Sequence, residues 1–299
     1  MRIEVLGLPF NGLGVPPNVE NPAEALREAG LISALVSGGC LVTDLGDLTG
    51  FHFRGVPDPE TGILDLEEWI AMSRTLVDRL KPILDRQAFP LLLGGDCSLL
   101  LGTFAALAQR GEPIGLAFFD GHADFNTAET SLSCEPANME LAVLTGRGPD
   151  RIACVTGQDA LLADQDVVVY GIREWDEIAG SGIWVFDAEC IASRGVNACI
   201  REGIAQLALR GVPVWAHLDV DVLDPAFMPA VFPEPGGLSP EEVEALLRGT
   251  LAAGRVVGMS VTCYHPKLDP DRQAGTRLVA LLAAVLSNTA DPSHPPSDG

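Results

Sequence analysis

Two aspartate-rich stretches decide the fold: DGHAD at residues 120–124 and HLDVDVLDP at residues 217–225. Each stretch continues an apolar, β-branched run, over 114–119 and 214–220 respectively, and such runs predict buried strands. In an open parallel sheet, ligand-binding residues lie just outside the carboxyl ends of the strands. We therefore expect the two stretches to meet at one edge of a parallel sheet.

Short apolar runs alternate with helical stretches along the whole chain, which is typical of a parallel sheet covered by helices on both faces. Strands are predicted at Ile3–Leu6, Phe89–Leu93, Ile114–Phe119, Val167–Tyr170, Trp184–Phe186, Val214–Val220 and Val256–Thr262. Helices are predicted at Pro22–Ala29, Leu66–Leu84, Ser98–Arg110, Val196–Leu209, Pro240–Ala253 and Arg277–Leu286. A segment rich in Gly and Pro, 46–64, predicts a surface loop. We expect one α/β domain over residues 1–286 and a polar, disordered tail over 287–299.

The composition excludes several classes of function. Of the 299 residues, 47% are hydrophobic and 20% are charged, which is the composition of a globular protein with a large core. The net charge of −22 argues against binding nucleic acid or an anionic membrane surface. No apolar run is long enough to span a bilayer, and the seven cysteines form no CxxC pair. We expect a cytoplasmic protein without structural disulfides.

The two aspartate-rich stretches also predict a metal centre. Asp120, His122 and Asp124 occupy alternate positions, so an extended backbone turns all three to one side, and Asp219 and Asp221 repeat this spacing. Four carboxylates at one sheet edge repel each other unless cations lie among them. Two divalent ions that share the carboxylates meet this need, and an oxygen-rich set with one imidazole suits Mn(II). The alternative is a pair of solvated turns, which the occurrence of both motifs in one chain disfavours.

These motifs resemble those of the ureohydrolase family, which includes arginase and agmatinase. GGDCS at 94–98 is similar to the family's GGDHS, DGHAD to its DAHxD, and HLDVDVLDP to its SxDxDxxDP. The resemblance extends over roughly residues 1 to 285. It implies a three-layer α/β/α fold with an eight-stranded parallel sheet, a centre of two Mn(II) ions and hydrolysis of a guanidino group. It also implies a homo-oligomer, a trimer or a hexamer.

The resemblance assigns a role to each candidate metal ligand. Asp120 and Asp219 would bridge the two ions, Asp124 would complete one site, and His122 with Asp221 would complete the other. A metal-bridging hydroxide would then attack the planar amidino carbon. Asp124 reaches the same oxygen and would accept its proton, so Asp124 and His122 are the candidate catalytic residues.

Three further residues are candidates for binding the amino-acid end of the substrate. Asn126 and Ser133 lie at the distances after DGHAD where arginases hold the α-carboxylate, and Asp176 matches the acid that meets the α-amino group. Neutral donors and one acid suit such a head group. The alternative is ordinary loop capping. Asp96 and Asp224 are expected to hold turns.

Cys97 departs from the family pattern because it stands where the family has a metal-ligating His. A thiolate is a softer ligand and favours Zn, Fe, Ni or other late metals over Mn. Either Cys97 ligates and changes the metal, or it stays a thiol and leaves one site weak, or it is a small buried residue. The branch of the family that acts on N-hydroxylated arginine also tolerates Cys at this position.

Other departures affect the substrate more directly. Ala137 falls where arginases have a His that shuttles protons, and Cys263 falls at or near the Glu that pairs with the guanidinium. An N-hydroxyguanidine has a lower pKa and would lose less from the missing carboxylate. His217 replaces a Ser, and it either orients a ligand or packs as an ordinary buried His. Glu234 is expected to serve a turn.

Two hypotheses of different classes follow. The first is a metal-dependent amidinohydrolase acting on a small guanidino or N-hydroxyguanidino amino acid. The second is a non-catalytic or single-metal relative that keeps the fold, which the residues Cys97, Ala137 and Cys263 favour. The five retained aspartate and histidine ligands favour the first hypothesis, because unused buried carboxylates are costly. A hydrolase of a formimino or amide substrate stays open as a variant of the first.

Overall fold

A computed structural model describes residues 1–10, 21–175, 177–231, 233–253 and 255–287. Its strands are β1 (Arg2–Leu8), β2 (Leu41–Asp47), β3 (Phe89–Gly94), β4 (Gly115–Phe119), β5 (Val167–Tyr170), β6 (Trp184–Phe186), β7 (Val214–Asp219) and β8 (Val256–Thr262). They form one eight-stranded sheet in the order β2-β1-β3-β8-β7-β4-β5-β6, and every pairing is parallel.

Helices cover both faces of this sheet. They are α1 (Pro22–Glu28), α2 (Leu31–Ser37), α3 (Leu66–Asp85), α4 (Leu100–Ala108), α5 (Glu140–Ala142), α6 (Ala153–Thr156), α7 (Ala188–Arg194), α8 (Val196–Arg210), α9 (Pro240–Ala253) and α10 (Gln273–Ser287). Within the described ranges, none of them combines the length and the hydropathy needed to cross a membrane. The predicted three-layer α/β/α fold with an eight-stranded parallel sheet is therefore confirmed.

Two hydrophobic clusters, one on each face, hold the layers together. On β3, Leu91 and Leu93 belong to the cluster that contains α9 and α10 residues, whereas Leu92 belongs to the cluster that contains Trp69 of α3 and Phe104 of α4. Alternate side chains of a strand point to opposite faces, so a strand buried on both faces is apolar at every position. This is why the central strands could be found as continuous apolar runs.

The sequence prediction missed one strand and four short helices. β2 is an edge strand, four of its seven residues are exposed, and its sequence LVTDLGD contains two aspartates and a glycine instead of an apolar run. Helices α2 and α7 have seven residues each, α5 has three and α6 has four, too few for a clear helical period. Of the disordered tail predicted over 287–299, Ser287 is the last residue of α10, and residues 288–299 lie outside the described residues.

One predicted helix start is formed as the sequence indicates. The Ser239 Oγ accepts a hydrogen bond from the Glu242 backbone N–H at 3.2 Å, and the Glu242 carboxylate accepts one from the Ser239 N–H at 2.8 Å. This reciprocal pair satisfies donors that the first turn of α9 would leave free. It fixes where α9 begins after the loop that follows β7.

The strand order places the motifs side by side. β3, β8, β7 and β4 are consecutive in the sheet, and all run in the same direction. The segments that follow them therefore emerge at one edge, at the centre of the sheet. GGDCS follows the main part of β3, DGHAD follows β4, and the second aspartate-rich stretch overlaps the end of β7.

A glycine in β8 makes room for a buried tryptophan of the neighbouring strand β7. Gly258 pairs with Trp215 of β7, and a Cβ atom added to Gly258 would overlap the Trp215 ring and lie 2.7 Å from the Pro90 Cγ. We expect Gly258→Ala to lower the free energy of unfolding by about 1–3 kcal/mol, because an overpacked core must shift. Urea denaturation measures this change. Gly180→Ala is the control, since no atom lies within 4 Å of a Cβ built there; an equal loss in both variants would contradict the expectation.

Candidate active site

The first cluster at the sheet edge joins DGHAD to the end of β7. Donor atoms of Asp120, His122 and Asp221 lie within 4.8 Å of one another. The His122 Nδ1 is 3.0 Å from the Asp221 Oδ2 and 3.8 Å from the Asp120 Oδ1. The predicted convergence of the two aspartate-rich stretches is thus seen in the structure.

Backbone amides fix the orientation of these carboxylates. The Asp120 Oδ1 accepts a hydrogen bond from the His122 N–H at 2.7 Å, and the Asp219 Oδ1 accepts one from the Asp221 N–H at 2.8 Å. The Asp221 Oδ1 accepts one from the Gly121 N–H at 3.0 Å, which ties the two motifs together. Each of these carboxylates keeps a second oxygen that these amides do not engage.

Asp124 reaches the cluster through an unusual backbone conformation. Its φ angle of +47° lies in the left-handed region, and its carbonyl oxygen accepts a hydrogen bond from the Leu141 N–H at 3.1 Å. A non-glycine residue in this region costs of order 1–3 kcal/mol unless its surroundings enforce it, and such residues cluster at functional sites. The strained turn brings the Asp124 carboxylate within 4.8 Å of donor atoms of Cys97 and Glu140.

Negative charge is concentrated at this edge of the sheet. Burial, followed by the charges of the neighbouring aspartates, raises the pKa of Asp120 well above its ordinary value. Burial and the nearby Glu140 do the same to the pKa of Asp124, and burial raises the pKa of Asp219 to about 7. Carboxylates that resist ionisation without a counter-charge fit divalent cations well, since cations would stabilise their charged forms.

His122 and Asp221 form the ion pair of the cluster. Burial opposes the charged imidazole, but the hydrogen bond and the charge of Asp221 outweigh it and raise the pKa of His122 to about 10. Burial likewise opposes the charge on Asp221, but the same hydrogen bond and the positive charge of His122 lower the pKa of the Asp221 carboxyl. Without metal, a proton on His122 therefore partly replaces the missing positive charge.

Cys97 lies among the candidate ligands. Its side chain is fully buried, and its Sγ is 2.8 Å from the Asp219 Oδ2 and 3.2 Å from the Thr262 Oγ1. Donor atoms of Cys97, Asp219 and Cys263 lie within 4.8 Å of one another, and burial raises the pKa of the Cys97 thiol. Cys97 is buried, as one interpretation expected, but its sulfur contacts the carboxylates and could ligate a metal.

His217 is packed and hydrogen-bonded, as expected of a histidine within a strand. Its ring stacks on Phe118 with centroids 5.0 Å apart, and its Nδ1 is 2.7 Å from the Ser260 Oγ. Burial lowers its pKa to about 3, so the imidazole is neutral at pH 7. Its Nε2 lies 3.2 Å from the Cys97 Sγ, so His217 also orients that thiol.

A cavity of about 380 Å³ opens above the cluster. Its wall contains the candidate ligands His122, Asp124, Asp219 and Asp221, the predicted substrate residues Asn126 and Ser133, and also Glu135, Ala137, Asn138, Glu174, Glu234 and Cys263. The Ser133 Oγ accepts a hydrogen bond from the Asn138 Nδ2 at 2.6 Å. Asn126 and Ser133 thus share one cavity with the candidate ligands, whereas Asp176 lies outside the described residues.

Residues expected to serve turns behave differently from one another. The Asp96 Oδ1 accepts a hydrogen bond from the Ser98 N–H at 3.0 Å, and the Asp224 carboxylate accepts from the N–H groups of Ala226 and Gly236. Both act in turns, as predicted. Glu234, for which only a turn role was expected, lines the cavity instead, with donor atoms of Glu174 and His122 within 4.8 Å.

Sequence reasoning missed one buried acid next to the cluster. Glu140 is fully buried, and its carboxylate lies within 4.8 Å of donor atoms of Cys97 and Asp124. The signal was present in the sequence, because Glu140 is the one charged residue in the run PANMELAVL at 136–144. A lone carboxylate inside such an apolar run indicates a functional role.

A family model described as the arginase family matches residues 1–287. The chain belongs to the arginase family. The family predicted from the motifs is thereby confirmed, and so is the enzyme class, an arginase-type hydrolase. The match covers nearly all of the described residues, including every element that carries the candidate ligands.

Individual arginases agree with this assignment over the full length of the chain. The chain is 31% identical over 291 residues to arginase from Bacillus subtilis, covering 95% of this chain and 97% of the relative. The solved structure of Bacillus caldovelox arginase superposes with a TM-score of 0.89 at 28% identity, covering 95% and 97%. The proclavaminate amidino hydrolase of Streptomyces clavuligerus superposes with a TM-score of 0.69 at 26% identity, covering 96% and 92%.

The raised pKa values of the site predict how the metal-free protein responds to pH. The pKa of Asp219 is 3.8 unfolded and about 7 folded, so the folded state binds the extra proton between these values. The free energy of unfolding should therefore fall as pH rises from 5 to 7, by about 2 kcal/mol for this group. His122, raised from 6.5 to about 10, extends the fall toward pH 9.

Urea unfolding in EDTA at pH 5, 7 and 9 measures this effect. Asp219→Asn is the matched variant, and we expect a flatter profile between pH 5 and 7 because the titrating group is absent. A free energy of unfolding that stays constant or rises from pH 5 to 9 would contradict the expectation.

Proposed function

We propose that this chain is a binuclear metal-dependent amidinohydrolase that cleaves the C–N bond of a small guanidino or N-hydroxyguanidino amino acid. The observation that carries the proposal is the meeting of buried Asp120, Asp124 and Asp219 with His122 and Asp221 beside one cavity. Relatives named arginase and proclavaminate amidino hydrolase support the reaction type. The proposed catalytic unit is the single domain over residues 1–286.

The proposed metal ligands divide into two sets. Asp120 and Asp219 would hold both ions, Asp124 would complete one site, and His122 with Asp221 would complete the other. Two Mn(II) ions suit this oxygen-rich set, whereas Zn, Fe or Ni would suit a site in which Cys97 ligates. Bound divalent cations supply the positive charge that lowers the pKa of a water molecule and polarises the guanidino group.

The residues of the chain then direct the hydrolysis. Asp124 accepts a proton as the water oxygen attacks the amidino carbon, and it returns that proton to the departing amine. His122 is held by Asp221 in an orientation that turns its Nδ1 toward the cluster. The products are an amine and urea, or hydroxyurea from an N-hydroxyguanidine.

The cavity wall orients the substrate. Asn126 and Ser133 offer neutral donors for an α-carboxylate. By resemblance alone, Asp176 is the acid proposed for an α-ammonium group. Cys263 lines the cavity at the position where a carboxylate would pair with a guanidinium. A thiol in this place favours a less cationic substrate, which is the reason to prefer an N-hydroxyguanidine.

The proposal includes the assembly and location of the enzyme. A trimer or hexamer and a cytoplasmic location are proposed on the resemblance to the ureohydrolases and on the cysteine pattern. Light scattering on the eluted protein measures the assembly directly.

Substrate preference gives the first test of the proposal. Loss of a charge-assisted hydrogen bond costs about 1.5–3 kcal/mol, so we expect kcat/KM for N-hydroxyarginine to exceed that for arginine by about tenfold or more. Release of urea or hydroxyurea is measured on a panel of arginine, N-hydroxyarginine, agmatine and guanidinobutyrate. Asp124→Asn should lower kcat by roughly 10²–10⁴-fold, as removal of a general base does.

Glu129→Gln is the control for that variant, because Glu129 is an exposed acid in the loop after DGHAD. Turnover of arginine faster than N-hydroxyarginine would contradict the substrate preference. No turnover of any panel member by metal-loaded protein would favour the non-catalytic hypothesis.

The thiol of Cys97 gives a second test, through the metal. Protein loaded with Co(II) should show a near-ultraviolet thiolate-to-cobalt band, and Cys97→Ser should abolish the band or at least halve it. Cys97→His should raise the retention of Mn(II), because imidazole is a harder ligand than thiolate. The exposed Cys154 provides the control Cys154→Ser, which should keep the full band. A band unchanged by Cys97→Ser would exclude Cys97 as a ligand.

A further inference from the structure

Glu140 is a buried acid to which no described N–H group or hydroxyl donates a hydrogen bond. The polar group in contact with its carboxyl is another acid, the carboxyl of Asp124. A carboxyl group taken out of water is normally hydrogen-bonded, paired with a cation or bound to a metal. A buried carboxyl that receives no hydrogen bond from an N–H group or a hydroxyl and lies against another acid indicates a partner other than the protein.

The buried residues around Glu140 place its side chain beside the candidate ligands Cys97 and Asp124. Glu140 begins α5, and its neighbours Met139 and Leu141 are both fully buried. The Leu141 N–H donates to the carbonyl oxygen of Asp124, which ties this turn to the strained turn of DGHAD. Donor atoms of Cys97, Asp124 and Glu140 lie within 4.8 Å of one another, close enough to face a single cation.

No described residue offers Glu140 a cationic partner. None of the salt bridges formed by the described part of the chain includes Glu140. Its nearest donor atoms in the cluster belong to a thiol and another carboxyl. Burial and the charge of Asp120 raise the pKa of Glu140, consistent with a site that lacks positive charge.

We propose that Glu140 is a ligand of the divalent cation held by Asp124 and Cys97. This inference rests on the proposed function. By resemblance, the imidazole at position 97 is missing from this site, and the Glu140 carboxylate supplies a hard oxygen donor in its place. The carboxylate also neutralises part of the 2+ charge of the cation, whereas an imidazole is a neutral ligand and does not.

Mn(II) retention by Glu140→Gln tests this assignment. The amide keeps the size of the side chain and one acceptor oxygen, but it removes the charged ligand. Wild type, E140Q and E135Q are loaded with Mn(II), desalted, and analysed for ions per chain and for the rise in Tm caused by Mn(II). Glu135 is the matched control, because it lines the same cavity but belongs to none of the donor clusters among the described residues.

We expect wild type and E135Q to retain two ions and E140Q to retain one. The dissociation constant of the weaker ion should rise at least tenfold, since even residues behind the ligands change metal affinity by about that factor. The metal-free E140Q protein should fold as the wild type does, which circular dichroism checks. Glu140→Asp keeps the charge on a shorter side chain and should retain Mn(II) better than E140Q.

The outcomes separate this inference from the proposed function. Equal retention and equal Tm shifts in wild type, E140Q and E140D would overturn the role of Glu140 while leaving a binuclear enzyme. Wild-type protein that retains no Mn(II) and gains no stability from it would overturn the binuclear proposal and, with it, the role of Glu140.

Discussion

Repulsion among buried carboxylates is the constraint on which the rest of the structure depends. Asp120, Asp124, Asp219 and Glu140 meet at the centre of the sheet with their side chains out of water. Hydrophobic burial around them is strong enough to hold them together, but it cannot neutralise them. Protons do so in part without metal, as the raised pKa values indicate. The buried carboxylates at the centre of this fold therefore have to be neutralised by protons or by cations.

Two residues beside these carboxylates have strained backbone conformations. Asp124 and Cys263, which both line the cavity, adopt positive φ angles of 47° and 63°. The Cys263 N–H donates to the carbonyl oxygen of Gly95 at 2.8 Å, and Gly95 itself lies against the backbone of Phe10, where a Cβ atom would overlap the Phe10 carbonyl. The glycine pair of GGDCS is thus needed for packing close to the site. The surrounding strands enforce conformations that an isolated loop would not keep.

Most of the fold and the main candidate ligands could be predicted from the sequence, because both depend on patterns among residues close together in the chain. Apolar runs mark the strands that are buried on both faces, and alternate aspartates mark the strand ends. β2 escaped detection because an edge strand with Asp44 and Asp47 has no such run. Glu140 carried a signal in the sequence, but its contacts and the cavity position of Glu234 could not be derived, because they depend on how loops distant in sequence pack. The contact between Cys97 and His217 is also of this kind, since 120 residues separate the two.

The insertion of β8 between β3 and β7 has a consequence for how the chain folds. Leu91 pairs with Met259, and Trp215 of the next strand pairs with Gly258, so the middle of the sheet is closed by the last strand to be synthesised. Contacts between segments so distant in sequence are slow to form, because the chain must lose the entropy of closing a long loop before these contacts can stabilise it. A chain in which β8 has not yet paired lacks the strand that joins β3 to β7. The candidate ligands Cys97 and Asp219 come after β3 and at the end of β7, so we expect a metal site built from them to be completed late in folding, once β8 has paired with both strands.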